Sequence, residues 1–559
     1  MKARRLPLWA GLLLAALVLG GLAGLAVFYA RLPQHLNQHE TLVLGQSRWA
    51  PGSEALVRVL VRDGSSGQPL ANASVEAQLQ PAGGAVFSGT TDANGTALVR
   101  LKGPADAAAE QTLVVNTRSP LGSDRVEQPI TVERDFKLLL STDKPIYQPG
   151  QEIHLRVLAL SAFDLTPAAG QEMEVIIADG KGNKVFRQKV TTSEYGAAWT
   201  DFQLAGEVNT GAYKISAVLG NTRSEKTVTV EHYVLPKFEV TLETERAYYR
   251  PGEVVRGTLL ARYFFGKPVG DSSVRIEGAT FDVQRNLELT LDGQTDADGQ
   301  YAFEFTLPSY IAGSDLDGGL GTFYVQAMVT DQTHHVEVSN LSLPVAARTI
   351  IIEAVPESGV LRPGVENLLY VMTSYPDGSP VDCDLNVTLN DGAVVTQAQT
   401  GEFGVAELRF TPSNPYQMIQ VNARDSAGNQ ADAAFSFQAD WQQETVLLRP
   451  DRPVYRVGDT MNLTVLTTAQ QGSVYLDIIR AGQTVSTRSL ELTDGRAEAA
   501  VDLTPDLYGT LELHAYKILT SGSIVRDTGL VAVENRQDLA VNILAGQQSY
   551  LPGETAGLD

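Results

Sequence analysis

The chain has 559 residues, room for about four to six domains of ordinary size. Its 43 Lys and Arg against 65 Asp and Glu leave a formal charge of −22, which repels phosphate backbones and excludes nucleic acid as a natural partner. A single cysteine, Cys383, excludes an intramolecular disulfide and cysteine-rich zinc modules, while 50 Gly and 26 Pro punctuate the chain too often for long helices.

The first element in chain order is an apolar run. Leu8 to Ala30 contains no charge and as a helix would span roughly 35 Å, enough for a hydrocarbon core of about 30 Å. Lys2, Arg4 and Arg5 precede it and Arg31 follows, so the positive-inside bias sets residues 1–7 in the cytoplasm and exports everything after 31. The expectation is a single-pass anchor over 8–30 with the bulk of the chain extracytoplasmic. A cleaved signal peptide is the alternative, because Gly24-Leu25-Ala26 offers a small-x-small site.

Beyond the anchor a short phrase recurs: Trp49-Ala50-Pro51-Gly52, Tyr147-Gln148-Pro149-Gly150, Tyr249-Arg250-Pro251-Gly252, Leu361-Arg362-Pro363-Gly364, Tyr455-Arg456-Val457-Gly458 and Tyr550-Leu551-Pro552-Gly553. The intervals between its glycines are 98, 102, 112, 94 and 95 residues, close to the ~100 residues of a seven-stranded β-sandwich. Pro presets φ for the second position of a turn, and Gly accepts the positive φ that a type II turn needs next. The aromatic or Leu ahead of it is expected in a core or at a corner. An alternating strand follows each phrase. In Ala55 to Arg62, Val57, Val59 and Val61 take one face while Arg58 and Arg62 take the other, the pattern of a half-buried strand.

A second phrase lies in the middle of each unit: Asp92-Ala93-Asn94-Gly95, Ser193-Glu194-Tyr195-Gly196, Asp296-Ala297-Asp298-Gly299, Gly401-Glu402-Phe403-Gly404 and Thr493-Asp494-Gly495. Asp-x-Asp-Gly invites a calcium loop, yet such a loop needs five or more oxygen ligands and a distal Glu. The sister repeats keep the Gly and lose the acids, so a hairpin turn is the better reading.

The spacing predicts an all-β chain of tandem sandwiches over 38–134, 135–233, 234–347, 348–440 and 441–536, with 537–559 opening a sixth unit. A sandwich cannot be built from so short a remainder, so the sequence reads as the leading portion of a longer protein. It offers no Gly-x-Ser-x-Gly elbow, no His-Glu-x-x-His and no phosphate loop, so no catalytic, cofactor or metal site is expected. Adjacent His334 and His335 would point to opposite faces of a strand.

Particular wording inside these repeats resembles the alpha-2-macroglobulin family. Ser141-Thr142-Asp143-Lys144-Pro145-Ile146-Tyr147-Gln148-Pro149-Gly150-Gln151 is similar to the opening of the family's second macroglobulin domain, and His232-Tyr233-Val234-Leu235-Pro236-Lys237-Phe238-Glu239-Val240 to its junction into the third. Tyr263-Phe264-Phe265-Gly266-Lys267-Pro268-Val269 resembles the third domain's early hairpin, and Arg449-Pro450-Asp451-Arg452-Pro453-Val454-Tyr455 the start of the fifth. The resemblance implies fibronectin-like sandwiches wound into a ring, and a function: a cut bait segment triggers collapse around a protease, which a thioester sometimes links covalently.

The family's thioester motif is Cys-Gly-Glu-Gln. Here Cys383 is followed by Asp384, Leu385 and Asn386, and the flanking carboxylates raise the pKa of its thiol. Cys383 is therefore rejected as a thioester residue and read as an isolated thiol at a strand edge. Any thioester, and the bait with it, is expected beyond residue 559, as are the contacts to proteases. The competing reading is a surface adhesin or stalk in which the sandwiches are spacers. The scarcity of cysteine points to a prokaryotic source, where the five Asn-x-Ser/Thr sequons (Asn72, Asn94, Asn340, Asn386 and Asn462) would carry no meaning.

Overall fold

A computed structural model describes residues 38–535, apart from 82–85, 105–108, 233–235, 315–318, 390–393, 413, 415 and 439–443, together with 544–547 and 555–557. The anchor expected over 8–30 and the sixth turn phrase with Pro552 and Gly553 lie outside them. Among the described residues no helix is long and apolar enough to cross a membrane, and the one helical element is the 3-10 turn Pro505–Leu507. The fold on view is all-β.

Period-two alternation sorts each strand into an inner and an outer face. In Glu152–Ser161, Ile153, Leu155, Val157 and Ala159 are buried between exposed or half-exposed neighbours. Faces of this kind close in pairs. In the first unit a three-stranded sheet of His39–Leu44, Glu54–Asp63 and Thr96–Lys102 covers a five-stranded one of Arg48–Trp49, Gly122–Val132, Ala109–Ser119, Ser74–Gln80 and Val86–Thr90. The next three units repeat the plan with a three-stranded sheet on one of four or five strands. Each encloses its own core; the first holds Val57, Val59 and Val61 against Val75, Leu113 and Val115.

The fifth unit, Val446–Pro450 through Ile524–Glu534, differs. Its eight strands form one continuous sheet, because Gln483–Thr493 and Arg496–Asp502 remain paired across the turn through Thr493 and Arg496.

The mid-unit turn is not a hairpin in the first four sandwiches, contrary to the sequence reading. The strands on its two sides, such as Val86–Thr90 and Thr96–Lys102, belong to different sheets. The turn carries the chain over the top of the core. Period-two patterning marks which residues face inward, but a turn within one sheet and a turn between two sheets use the same Gly and Asp chemistry.

Candidate functional site: corners and joints of the frame

The first repeated phrase forms a corner in every described unit. Gly52, Gly150, Gly252, Gly364 and Gly458 all have positive φ, between 73° and 93°. Ser53, Gln151, Glu253 and Asp459 donate their amides back to the carbonyls of Ala50, Gln148, Arg250 and Arg456, at 2.9–3.2 Å. The glycine amides themselves donate to Pro104, Ala205, Pro308, Pro412 and Leu503 at 2.7–3.0 Å, just past the neighbouring strand of the same sheet, so Pro51, Pro149, Pro251 and Pro363 sit in turns tied to the end of that strand. Trp49, Tyr147, Tyr249, Leu361 and Tyr455 are buried. Tyr147 and Tyr455 also donate their hydroxyls to Asp143 and Asp451 at 2.5 and 2.6 Å. Burial, then that bond, pushes each phenol up to about 12.

The second phrase is pinned to the strand that pairs with the one following it. The carbonyls of Gly95, Gly196, Gly299, Gly404 and Gly495 accept from the amides of Val61, Ala159, Ala261, Thr373 and Thr467 at 2.7–2.8 Å. A Cβ at any of these glycines would be driven onto the carbonyl of that same partner, which is why the sister repeats keep Gly whatever else they lose. The carboxylates of Asp92 and Asp296 accept backbone amides of their own turns, from Asn94 and Thr96 and from Asp298 and Gln300, at 2.8–3.0 Å. These are turn-capping groups.

Cys383 is buried at 1% exposure and opens strand Cys383–Leu389. That strand is paired on both sides, with Val394–Gln399 and Tyr416–Asp425. The thiol thus lies in an inner strand and not at a sheet edge as the sequence suggested. Burial pushes its pKa up, with Asp425, Asp382 and Asp384 adding to the shift against a bond from Thr373.

The residues that the sequence reading missed are at the joints between sandwiches. Arg58 and Arg62, expected on a solvated face, are both buried because the fifth sandwich covers that face of the first. The Arg58 guanidinium lies 4.3 Å from the centre of the Tyr475 ring and donates to the Tyr516 hydroxyl at 3.2 Å, to the Arg488 carbonyl at 3.2 Å and to Thr487. Asp477 is 3.7 Å away. Arg62 donates to the carbonyls of Leu519 and Thr520 at 3.0 and 3.2 Å and pairs with Glu40 at 2.8 Å.

The fifth sandwich meets two others in the same manner. Arg480 donates to the carbonyl of Phe163 in the second at 2.7 Å, its guanidinium 5.0 Å from the ring centre. Arg449 pairs bidentately with Glu357 of the fourth at 2.6 and 2.7 Å. Arg362 of the fourth reaches Asp527 of the fifth at 2.8 Å, where burial holds the carboxyl above its usual range despite that cation. Arg362 and Arg449 fell within phrases singled out above, and Arg58 and Arg62 within an alternating strand, yet no local sequence signal separates any of these arginines from surface ones. The planar fork of arginine suits such joints, since it stacks on a ring and bonds carbonyls or a carboxylate at once.

Comparison with known proteins agrees with this architecture. The profile of the MG2 domain matches residues 137–231, that of the macroglobulin domain MG3 matches 232–311, and that of the alpha-2-macroglobulin bait region domain matches 446–559. The bait-region domain thus begins on the fifth sandwich, whereas the sequence reading set the bait beyond residue 559. The alpha-2-macroglobulin of Thermotoga maritima is 24% identical over 60% of this chain and 21% of its own length. That of Ralstonia nicotianae is 24% identical over 91% of this chain and 33% of its own. Trypsin-activated alpha-2-macroglobulin from Escherichia coli superimposes with a TM-score of 0.45 at 12% identity, over 91% of this chain and 38% of that one. The chain spans a fifth to a third of the length of these curated relatives. With macroglobulin domains over its second and third sandwiches and a bait-region domain from its fifth, the chain belongs to the alpha-2-macroglobulin family.

Proposed function

We propose that this chain is the leading frame of a broad-spectrum endopeptidase inhibitor that entraps its target. The observation that carries the reading is the position of the bait-region domain. It starts on the sandwich that the first, second and fourth all grip. A cut in a bait attached to a pinned domain relieves a constraint on one side of a stiff body, so the parts beyond it move and the frame holds. Separately cored sandwiches resist both deformation and proteolysis. The frame needs no catalytic residue for this, and the reading is of a protein that is not an enzyme.

In this reading proteases are the partners and the run over 8–30 is a single-pass anchor that holds the frame outside the cytoplasm. Joints between sandwiches distant in sequence, such as Arg58 with Tyr516, favour a frame over a stalk of spacers, which has no use for them. The test uses the full-length natural protein and trypsin. The expected complex still hydrolyses a small chromogenic peptide and spares casein. Equal loss of both activities, or of neither, contradicts entrapment.

A further inference from the structure

In the first sandwich the outward face of the three-stranded sheet is a joint. Arg58 and Leu60 are buried there, with Arg58 held by the fifth sandwich. Leu42 lies opposite Leu60, and Leu98 opposite Arg58. Asn94 of the mid-unit turn donates to Glu491 of the fifth at 2.9 Å.

The second sandwich carries the same face. Arg156 follows its corner glycine by six residues, as Arg58 does, where the third, fourth and fifth sandwiches have Thr258, Tyr370 and Thr464. Leu139 stands opposite Leu158 as Leu42 does opposite Leu60, and Trp199 stands opposite Arg156 as Leu98 does opposite Arg58. Tyr195 takes the turn position of Asn94. Among the described residues nothing covers this face: Trp199 is 68% exposed, Tyr195 71% and Leu139 49%, and Arg156 is exposed with them. Its polar margin, His154 paired with Asp201 at 2.7 Å, lies towards the corner, which leaves the apolar part beside the mid-unit turn. Trp and Tyr next to Arg make the composition of a contact anchor and not of a wet sheet.

The occupant follows from the way the chain leaves each sandwich. Val132 pairs with Trp49 at the exit of the first, and Val533 pairs with Tyr455 at the exit of the fifth. The lead into the second sandwich is Val132-Glu133-Arg134-Asp135-Phe136. The lead into the sixth unit is Val533-Glu534-Asn535-Arg536-Gln537-Asp538-Leu539, the same order of residue types and two residues longer. A like step at both exits carries the joint between first and fifth onto the second and the sixth. We propose that the sixth unit, opening at residue 537, seats on this face of the second sandwich, with Trp199 and Tyr195 as its anchors and Arg156 in the part that Arg58 plays. The contact belongs to the frame and does not depend on protease trapping.

The test uses the full-length natural protein with Trp199→p-benzoylphenylalanine, irradiated and mapped by peptide mass spectrometry. The expected cross-links run within one chain to the ~100 residues after 537, the length of one sandwich. A second measurement keeps Trp199 and places Cys at exposed Ser141, opposite Arg156 on the same face (S141C). Its reference is Cys at exposed Lys184 on the other sheet (K184C). In the native protein S141C should react with a maleimide about tenfold or more slowly than K184C, and at an equal rate in urea. Adding R156A and W199S should restore most of the lost rate. Cross-links to lipid, to a second copy, to another part of the chain or to nothing overturn the proposal. Equal native rates at the two cysteines overturn it too, as does protection of S141C that survives R156A with W199S.

Discussion

The guanidinium of Arg58 sits 4.3 Å from the ring centre of Tyr475, joining a strand of the first sandwich to one of the fifth. Arg58 also bonds Tyr516 and Thr487, with Asp477 alongside, so nearly all its polar capacity is met inside the joint. Replacing it with Ala leaves half-buried Asp477 with Thr487 as its remaining partner and removes the ring contact and the bonds to Tyr516 and the Arg488 carbonyl, a cost of about 2 kcal/mol. Hydrogen exchange should then rise in Val474–Arg480 and Glu512–Thr520 while the third sandwich is unchanged. Arg58→Lys should recover less than half, because an ammonium cannot stack and fork together. Unchanged exchange in R58A means the joint does not depend on this contact.

Two glycines in the second sandwich separate steric need from backbone preference. Gly196 has φ +73°, and a Cβ there would strike the carbonyl of Ala159; Gly150 has φ +85° with nothing within 4 Å of a Cβ. Gly196→Ala should therefore destabilise by about 3 kcal/mol or more, and Gly150→Ala by about 1 kcal/mol from its φ alone. Urea melts of the two variants decide it, and equal midpoints would count against the close approach of Gly196 to the Ala159 carbonyl.

Asp331 should contribute to acid sensitivity. Burial raises its carboxyl, but bonds from the His335 amide, from Thr333 and from the Tyr263 hydroxyl outweigh it and hold the group at about 2. A carboxylate lowered on folding adds stability above its unfolded pKa and loses it as pH falls towards the folded one. The loss is expected between about pH 4 and pH 2. In Asp331→Asn that part of the pH–stability curve should flatten, measured by thermal melts at stepped pH.

Cys383 should behave as a core residue. At 1% exposure with a raised thiol pKa, it should react with a thiol reagent at least a hundredfold more slowly in the folded chain than in urea. Cys383→Ala should leave a small void in the fourth sandwich and cost about 1 kcal/mol. Rapid labelling of the native protein would show that this core opens.

Local regularities were legible because their causes are local. The period-two runs, the Pro-Gly corners and the mid-unit glycines each reflect a backbone constraint within a few residues, so Val57, Gly52 and Gly95 declare themselves in the sequence. The even spacing of the corners then separates the units. What the local pattern cannot say is which outward face stays wet. Arg58 and Arg62 alternate with valines as solvated residues do, and the surface that buries them comes from 458 and 457 residues further on.

The amino-acid order alone thus determined the sandwich repeat and its corners, since φ preferences and side-chain alternation act between neighbours in the chain. Tertiary structure decided that the mid-unit turns cross between sheets, that Cys383 lies in an inner strand and that the fifth sandwich is gripped by three others. Those outcomes depend on which surfaces meet once the chain has folded. A guanidinium has the same composition whether water or a tyrosine ring faces it.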